Sequence, residues 1–204
     1  MKLSVVIQAG GESRRMGKNK ELVSFLGKPL IQRVIERVNP IADELLITSN
    51  QPETLAFLQI AAYQDVLQVN GALSGLYTAL AMAQNPLVAV VACDMAFVSA
   101  PLLIAEKEIL INQNADGVVP ETDTGFEPFH AVYRREICLA AVKSALAAGM
   151  KRADGWFSAV QMVYFPRNLL PLYDPSGQAF TNINTPEELT QAESYARMIG
   201  QSPD

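Results

Sequence analysis

Gly10, Gly11, Arg14, Arg15, Gly17, Lys18 and Lys20 lie directly behind the apolar run Leu3 to Ile7, in the order Gln8-Ala9-Gly10-Gly11-Glu12-Ser13-Arg14-Arg15-Met16-Gly17-Lys18-Asn19-Lys20. Paired glycines carry no Cβ, so the backbone can turn sharply and bring its N–H groups onto an anion. The arginines and lysines add forked and point-like positive charge to the same loop. A buried strand that empties into such a loop is suited to hold phosphate. A solvated basic turn is the plainer reading, and the place of the loop at a strand's carboxyl end favours the phosphate site. Two familiar fingerprints are excluded. The P-loop pattern G-x-x-x-x-G-K-[ST] fails, because five residues separate Gly11 from Gly17 and Asn19 follows Lys18. The dinucleotide pattern G-x-G-x-x-G fails because the glycines fall at 10, 11 and 17.

Asp94 is the second group with evident chemistry. It follows Leu87-Val88-Ala89-Val90-Val91-Ala92 and sits in Cys93-Asp94-Met95. A run apolar at every position reads as a strand covered on both faces, and its carboxyl end is where a metal–triphosphate would lie. Magnesium takes few protein carboxylates and keeps waters and phosphate oxygens, so a lone aspartate suffices. As a helix N-cap Asp94 would stand seven residues ahead of Pro101, and Ser99 is better placed for that task.

The elements that must position these residues alternate along the chain. Strands are predicted at Leu3–Gln8, Glu44–Thr48, Val66–Val69, Leu87–Ala92, Asp116–Val119, Phe129–Tyr133 and Gln161–Phe165. Helical spacing begins behind Pro29, placed at N1, with Leu30, Ile31, Val34, Ile35 and Val38. Further helices are predicted near 53–59, at 74–83, from Pro101 to about Asn112, and at 135–148. A last one opens with Thr185 as N-cap, Pro186 at N1 and Glu188 at N3, a capping box. The pattern predicts an α/β, Rossmann-like, doubly wound and mostly parallel sheet with helices on both faces, in one domain over 1–204. The strand ends at 8–11, 48–50 and 92–94 should then share one edge. Segments 116–133 and 166–180, richer in glycine, proline and aromatics, read as excursions from the sheet that wall a second pocket.

Composition sets the surroundings. The chain has 204 residues, 50% of them hydrophobic, and a formal net charge of −5. An acidic bulk surface excludes non-specific nucleic-acid binding, so the basic loop points to a small anionic ligand. No run is long enough for a membrane span or a secretory signal. The two cysteines, Cys93 and Cys138, form no CxxC pair and suit a reducing cytoplasm. His130 is the only histidine, which excludes a histidine metal cluster.

The loop resembles the signature of nucleotidyltransferases that activate a sugar or cofactor phosphate: Leu-Ala-Gly-Gly, a short variable stretch, Arg-Met-Gly, and then a lysine. The matching residues are Ala9-Gly10-Gly11, Arg15-Met16-Gly17 and Lys20, with Gln8 in place of the leucine. The double glycine is similar to that of the molybdenum cofactor guanylyltransferases, the MobA type. Cys93-Asp94-Met95-Ala96 resembles the family's metal-aspartate segment, with Ala96 for its proline. Phe180-Thr181-Asn182-Ile183-Asn184-Thr185-Pro186-Glu187-Glu188-Leu189 resembles its Asn-x-Asn-Thr-Pro-Glu-Glu-Leu. Gly71-Ala72-Leu73-Ser74-Gly75, behind Asp65, is similar to its Gly-Pro-Leu-Ala-Gly, read as a turn against the base. The segment from Glu127 to Tyr133 resembles the one beside its acceptor pocket.

The resemblance implies a nucleotide-diphospho-sugar transferase fold and transfer of GMP from GTP to the phosphate of the molybdenum–molybdopterin cofactor. It implies Mg²⁺ held by Asp94, with Arg15, Lys20 and Asp94 catalytic. Gln8, Ala9, Gly10, Gly11, Lys20, Asn50, Asp65 and Asp94 would bind the nucleotide, and Asn182 and Asn184 the acceptor. Asn50 also reads as a turn residue before Gln51-Pro52, and Asp65 as a solvated loop carboxylate. Asn184 and Thr185 equally suit ordering the last turn. The partners implied are GTP, the pterin cofactor, and other cofactor-biosynthesis proteins or recipient molybdoenzymes, with no nucleic acid or membrane. The alternatives are a cytidylyltransferase or sugar-1-phosphate nucleotidyltransferase, and a nucleotide-binding regulator without turnover.

Overall fold

A computed structural model describes residues 1–10, 20–67 and 71–201. Its strands are β1 (Leu3–Gln8), β2 (Ser24–Phe25), β3 (Lys28–Pro29), β4 (Glu44–Thr48), β5 (Ala61–Tyr63), β6 (Leu87–Ala92), β7 (Gly117–Thr122), β8 (Gly125–Phe126), β9 (His130–Arg134) and β10 (Met162–Phe165). The helices are α1 (Leu30–Val38), α2 (Ala72–Met82), α3 (Ala100–Asn112), α4 (Arg135–Ala147), α5 (Leu170–Tyr173) and α6 (Pro186–Met198). The main sheet runs β10-β7-β9-β6-β1-β4-β5, with β8 paired to β7. The β1 pairings to β4 and β6 are parallel, as are β4–β5 and β7–β10, whereas β9 runs antiparallel to both β6 and β7.

Period-two alternation of strand side chains divides the core between the two faces. Val5, Ile7, Ala89, Val91 and Val132 pack with Ile31 and Val34 of α1 and Leu102 and Leu103 of α3. Val6, Val88, Val90 and Ala131 pack with Leu76 and Leu80 of α2 and Val142 of α4. A third cluster joins Phe25 and Leu26 of the β2–β3 hairpin to Phe97, Ile183 and Ala192 and Ala196 of α6. The Leu26 N–H donates to Glu193 Oε1 at 2.8 Å, tying the hairpin to α6 across most of the chain. Among the described residues no helix is long and apolar enough to cross a membrane.

Four local expectations differ from the structure. The third strand lies at 61–63, not at 66–69: Ala61–Tyr63 takes the edge of β4, and the Val66 N–H turns away to Thr78 Oγ1 at 3.1 Å. Residues 68 and 69 of that expected strand fall outside the described ones. Pro29 ends β3 with ψ 139° instead of opening α1, because the Leu30 N–H is drawn to the Val23 carbonyl. Gly71 to Gly75 does not form a turn beyond Gly71 itself; α2 begins at Ala72, behind Gly71 at φ 145°. Segment 116–133 is no excursion either, since β7 and β9 belong to the main sheet. Its loop end and segment 167–180 nevertheless line one cavity of about 280 Å³, through Thr122, Asp123, Arg167, Leu170 and Phe180.

Candidate active site

The ends of β1, β4 and β6 meet at one edge because the register pairs Gln8 with both Thr48 and Ala92. The Ala9 N–H donates to the Thr48 carbonyl at 2.7 Å, and the Cys93 N–H to the Gln8 carbonyl at 3.0 Å, so the ladder continues past the strand ends. Gly10 therefore emerges beside Asn50: a Cβ built on Gly10 would stand 3.8 Å from Asn50 Oδ1, an ordinary contact.

Lys20 opens a short 3-10 turn, Lys20–Leu22, and its ammonium donates to Asp94 Oδ2 and to Asn184 Oδ1. The ion pair is sheltered, with Lys20 and Asp94 side chains only 14% and 16% exposed. Asn184 is held by the capping box of α6. Its N–H and that of Thr185 both donate to Glu188 Oε2, at 2.6 and 3.0 Å, while the Glu188 N–H donates to Thr185 Oγ1. The Ile183 N–H donates to the Asp94 carbonyl at 3.1 Å, which ties the segment before α6 directly to the end of β6.

Other expected site residues stand apart from this cluster. Asn182 is exposed and its amide leans back to the Phe180 carbonyl at 3.4 Å. Asp65 is half-buried and bonded to Thr78 of α2, and burial raises its carboxyl above the ordinary range. Gln8 points to the α2 face, where its amide meets Gly75. Gly11 and Arg15 lie outside the described residues. Burial, and secondarily the Asp94 charge, pushes the Cys93 thiol well above its ordinary range, so it stays protonated beside the site.

Four buried side-chain polar atoms among the described residues have no hydrogen-bond partner, and three of them are Gln8 Oε1, Thr48 Oγ1 and Asp94 Oδ1. Such orphans are costly in a core and mark sites that await a partner. These three sit at or just beyond the carboxyl ends of three adjacent strands, the edge that sequence reasoning assigns to the ligand. Thr48 was not among the expected site residues; its register with Gln8 was the signal that could have found it. The close approach of Gly75 to Gln8 is visible only in the packing.

The family profile of MobA-like NTP transferase domains matches residues 5–162. The chain belongs to the MobA-like NTP transferase family. The family match takes in Lys20, Asn50, Asp65 and Asp94 but stops before Asn182 and Asn184. Among full-length relatives of this family is the molybdenum cofactor guanylyltransferase of Desulfosudis oleivorans, 32% identical over 93% of both chains. A protein of Natranaerobius thermophilus bearing the same activity in its name is 32% identical over 95% of this chain and 96% of its own. The molybdopterin-guanine dinucleotide biosynthesis protein A of Archaeoglobus fulgidus superposes with TM-score 0.84 at 27% identity, covering 96% of this chain and 99% of that one. That superposition extends over nearly the whole length of both chains.

Proposed function

We propose that this chain transfers the guanylyl group of GTP to the terminal phosphate of a molybdenum-bearing pterin, giving the guanine dinucleotide cofactor and pyrophosphate. The observation that carries this reading is the meeting of Lys20, Asp94 and Asn184 at the carboxyl edge of the sheet. Full-length relatives named for that activity favour it over cytidylyl transfer or mere nucleotide binding.

In this reaction an oxygen of the acceptor phosphate attacks the α-phosphorus of GTP. The bond from that phosphorus to the oxygen bridging to the β-phosphate breaks, and pyrophosphate leaves with the electron pair. The acceptor is already anionic, so the step needs alignment and charge neutralisation more than a strong base. Lys20 would face the phosphates, and its two oxygen partners fix its direction before the reaction begins. Arg15 and the backbone N–H groups at Gly10 and Gly11 would add donors. Gln8, Asn50 and Asp65 would lie toward the nucleoside, and Asn182 and Asn184 toward the acceptor.

The donor set suits a divalent cation that arrives with the triphosphate. Asp94 Oδ1 is buried with no hydrogen-bond partner, and Asn184 offers a second hard oxygen through the atom that shares Lys20. Among the described residues no group of three or more His, Cys, Asp or Glu could hold a metal alone. Asp94 would hold Mg²⁺, which when bound offsets charge on the transferring phosphoryl group. The cytoplasm is the compartment we assign, consistent with two buried free cysteines.

Thermal stabilisation by each NTP with Mg²⁺, followed by pyrophosphate release with GTP and the pterin, tests the reading. GTP at about 100 times its dissociation constant should add about 2.7 kcal/mol. Equal stabilisation by CTP would move the assignment to cytidylyl transfer, and GTP binding without pyrophosphate release to a regulator.

A further inference from the structure

The one histidine of the chain is fully buried, and it is not idle packing. The Ser99 N–H donates to His130 Nε2 at 3.2 Å, so Nε2 presents its lone pair and the ring proton sits on Nδ1. His130 Nδ1 lies 3.2 Å from Oε1 of Glu106, which is also fully buried, and therefore donates to it. Free imidazole in water favours the other tautomer, so the two neighbours, the Glu106 carboxyl oxygen accepting at Nδ1 and the Ser99 N–H donating to Nε2, together hold the proton at Nδ1.

The ring makes a third contact, edge-on to Phe180, with centroids 5.2 Å apart. Phe180 lines the cavity of about 280 Å³ and leads directly into Asn182, Ile183 and Asn184. Ser99 meanwhile donates its hydroxyl to the Tyr173 carbonyl at 2.7 Å, at the point where the segment before Phe180 leaves α5. That segment is closed on itself by the Ala179 N–H donating to Asp174 Oδ2 at 2.8 Å. Its two ends are thus gripped from one place in the core: the Tyr173 end through Ser99, the Phe180 end through the imidazole.

We propose that Glu106 and His130 form a buried positioning pair that fixes the Phe180–Asn184 wall of the site, with Glu106 setting the tautomer that lets the ring accept from Ser99 while its edge supports Phe180. Neither residue touches the reacting atoms. The alternative tautomer would set a ring N–H against the Ser99 N–H, two donors face to face, and the ring would have to tilt away from Ser99 and Phe180. The effect on acceptor binding rests on the guanylyl-transfer reading; the effect on the wall does not.

Two variants of the full chain separate this from plain core packing. Glu106→Leu keeps the volume but removes the acceptor, and Glu106→Gln keeps an oxygen for Nδ1–H. Because the chain has one histidine, the imidazole ¹⁵N spectrum reports this ring alone. Wild type and Glu106→Gln should show the Nδ1–H tautomer, and Glu106→Leu should lose it. The backbone amide signals of Asn182 and Asn184 should move in Glu106→Leu and stay near wild type in Glu106→Gln. In turnover, Glu106→Leu should raise the acceptor KM about tenfold, about 1.4 kcal/mol, with GTP affinity within about twofold of wild type. An Nε2–H ring in the wild type would overturn the proposal. So would unmoved Asn182 and Asn184 signals in a folded Glu106→Leu, or equal damage by both variants. If the wild type transfers no guanylyl group, the functional reading fails, and the ring and amide signals still decide the positioning pair.

Discussion

Gln8 fills the space that a side chain at Gly75 would need: a Cβ built on Gly75 would stand 1.6 Å from Gln8 Nε2. Gln8 is the position where this chain departs from the leucine of the resembling signature, and Gly75 lies within α2, where glycine is an unfavourable residue. The missing side chain at Gly75 leaves the room that the Gln8 carboxamide occupies. Together they bring a carboxamide, with Oε1 buried and unpartnered, to the end of β1.

Gly75→Ala should destabilise the fold by about 1 kcal/mol, since overpacking costs about 1–3 kcal/mol and the gain in helix propensity returns about 1. Gln8→Ala with Gly75→Ala should be milder than the sum of the single changes, because the new methyl enters space the amide has left. Urea unfolding of all four proteins measures the coupling. Strict additivity would mean that the two side chains do not compete for that space.

Lys20→Ala should lower turnover about 10²- to 10³-fold, the cost of losing one donor to developing charge. The fold should persist, because the polar partners of Lys20 are Asp94 and Asn184 at the edge of the sheet. Circular dichroism and pyrophosphate release check both halves. Wild-type turnover would remove Lys20 from the phosphate site.

Asp94→Asn keeps the size of the side chain and removes the charge that a hard divalent cation prefers. Turnover should collapse, with residual activity shifted to higher Mg²⁺. The cap of α3 is Ser99, whose hydroxyl accepts from the Leu102 N–H at 3.2 Å, so stability does not depend on Asp94 as a cap. A Mg²⁺ titration identical to that of the wild type would count against the metal role.

Burial pushes Glu106 up to about 7 from its ordinary 4.5, against the opposing pull of His130. Between those values the folded chain keeps a proton that the unfolded chain has released, so this group's contribution to stability is lost as pH rises through about 7. Glu21, Asp65 and Glu127 are also raised by burial and tilt stability the same way. Glu106→Gln should therefore flatten, without abolishing, the fall in Tm from about pH 5 to about pH 8. Melting curves across that range that are parallel for the two proteins would show that Glu106 does not titrate there.

The apolar runs at 3–8, 44–48 and 87–92 determined three adjacent strands, because continuous burial on both faces needs no partner to be recognised. The capping box at Thr185 and Glu188 was equally legible, since its two bonds span a single turn. Placing Asp94, Asn50 and Gly10 at one edge followed from the parallel order of those strands.

The tertiary structure alone decided the rest. Ala61–Tyr63 became the edge strand instead of the more apolar 66–69, because a short edge strand is chosen by the free backbone of β4 and not by its own pattern. The antiparallel direction of β9 depends on which neighbours β6 and β7 leave unpaired. Asn184 reaches Lys20, and Glu106 reaches His130, through packing of elements far apart in the chain. Local periodicity says which face of an element is buried; which polar groups then meet is set by register and by how the helices lie across the sheet, and these are properties of the whole fold.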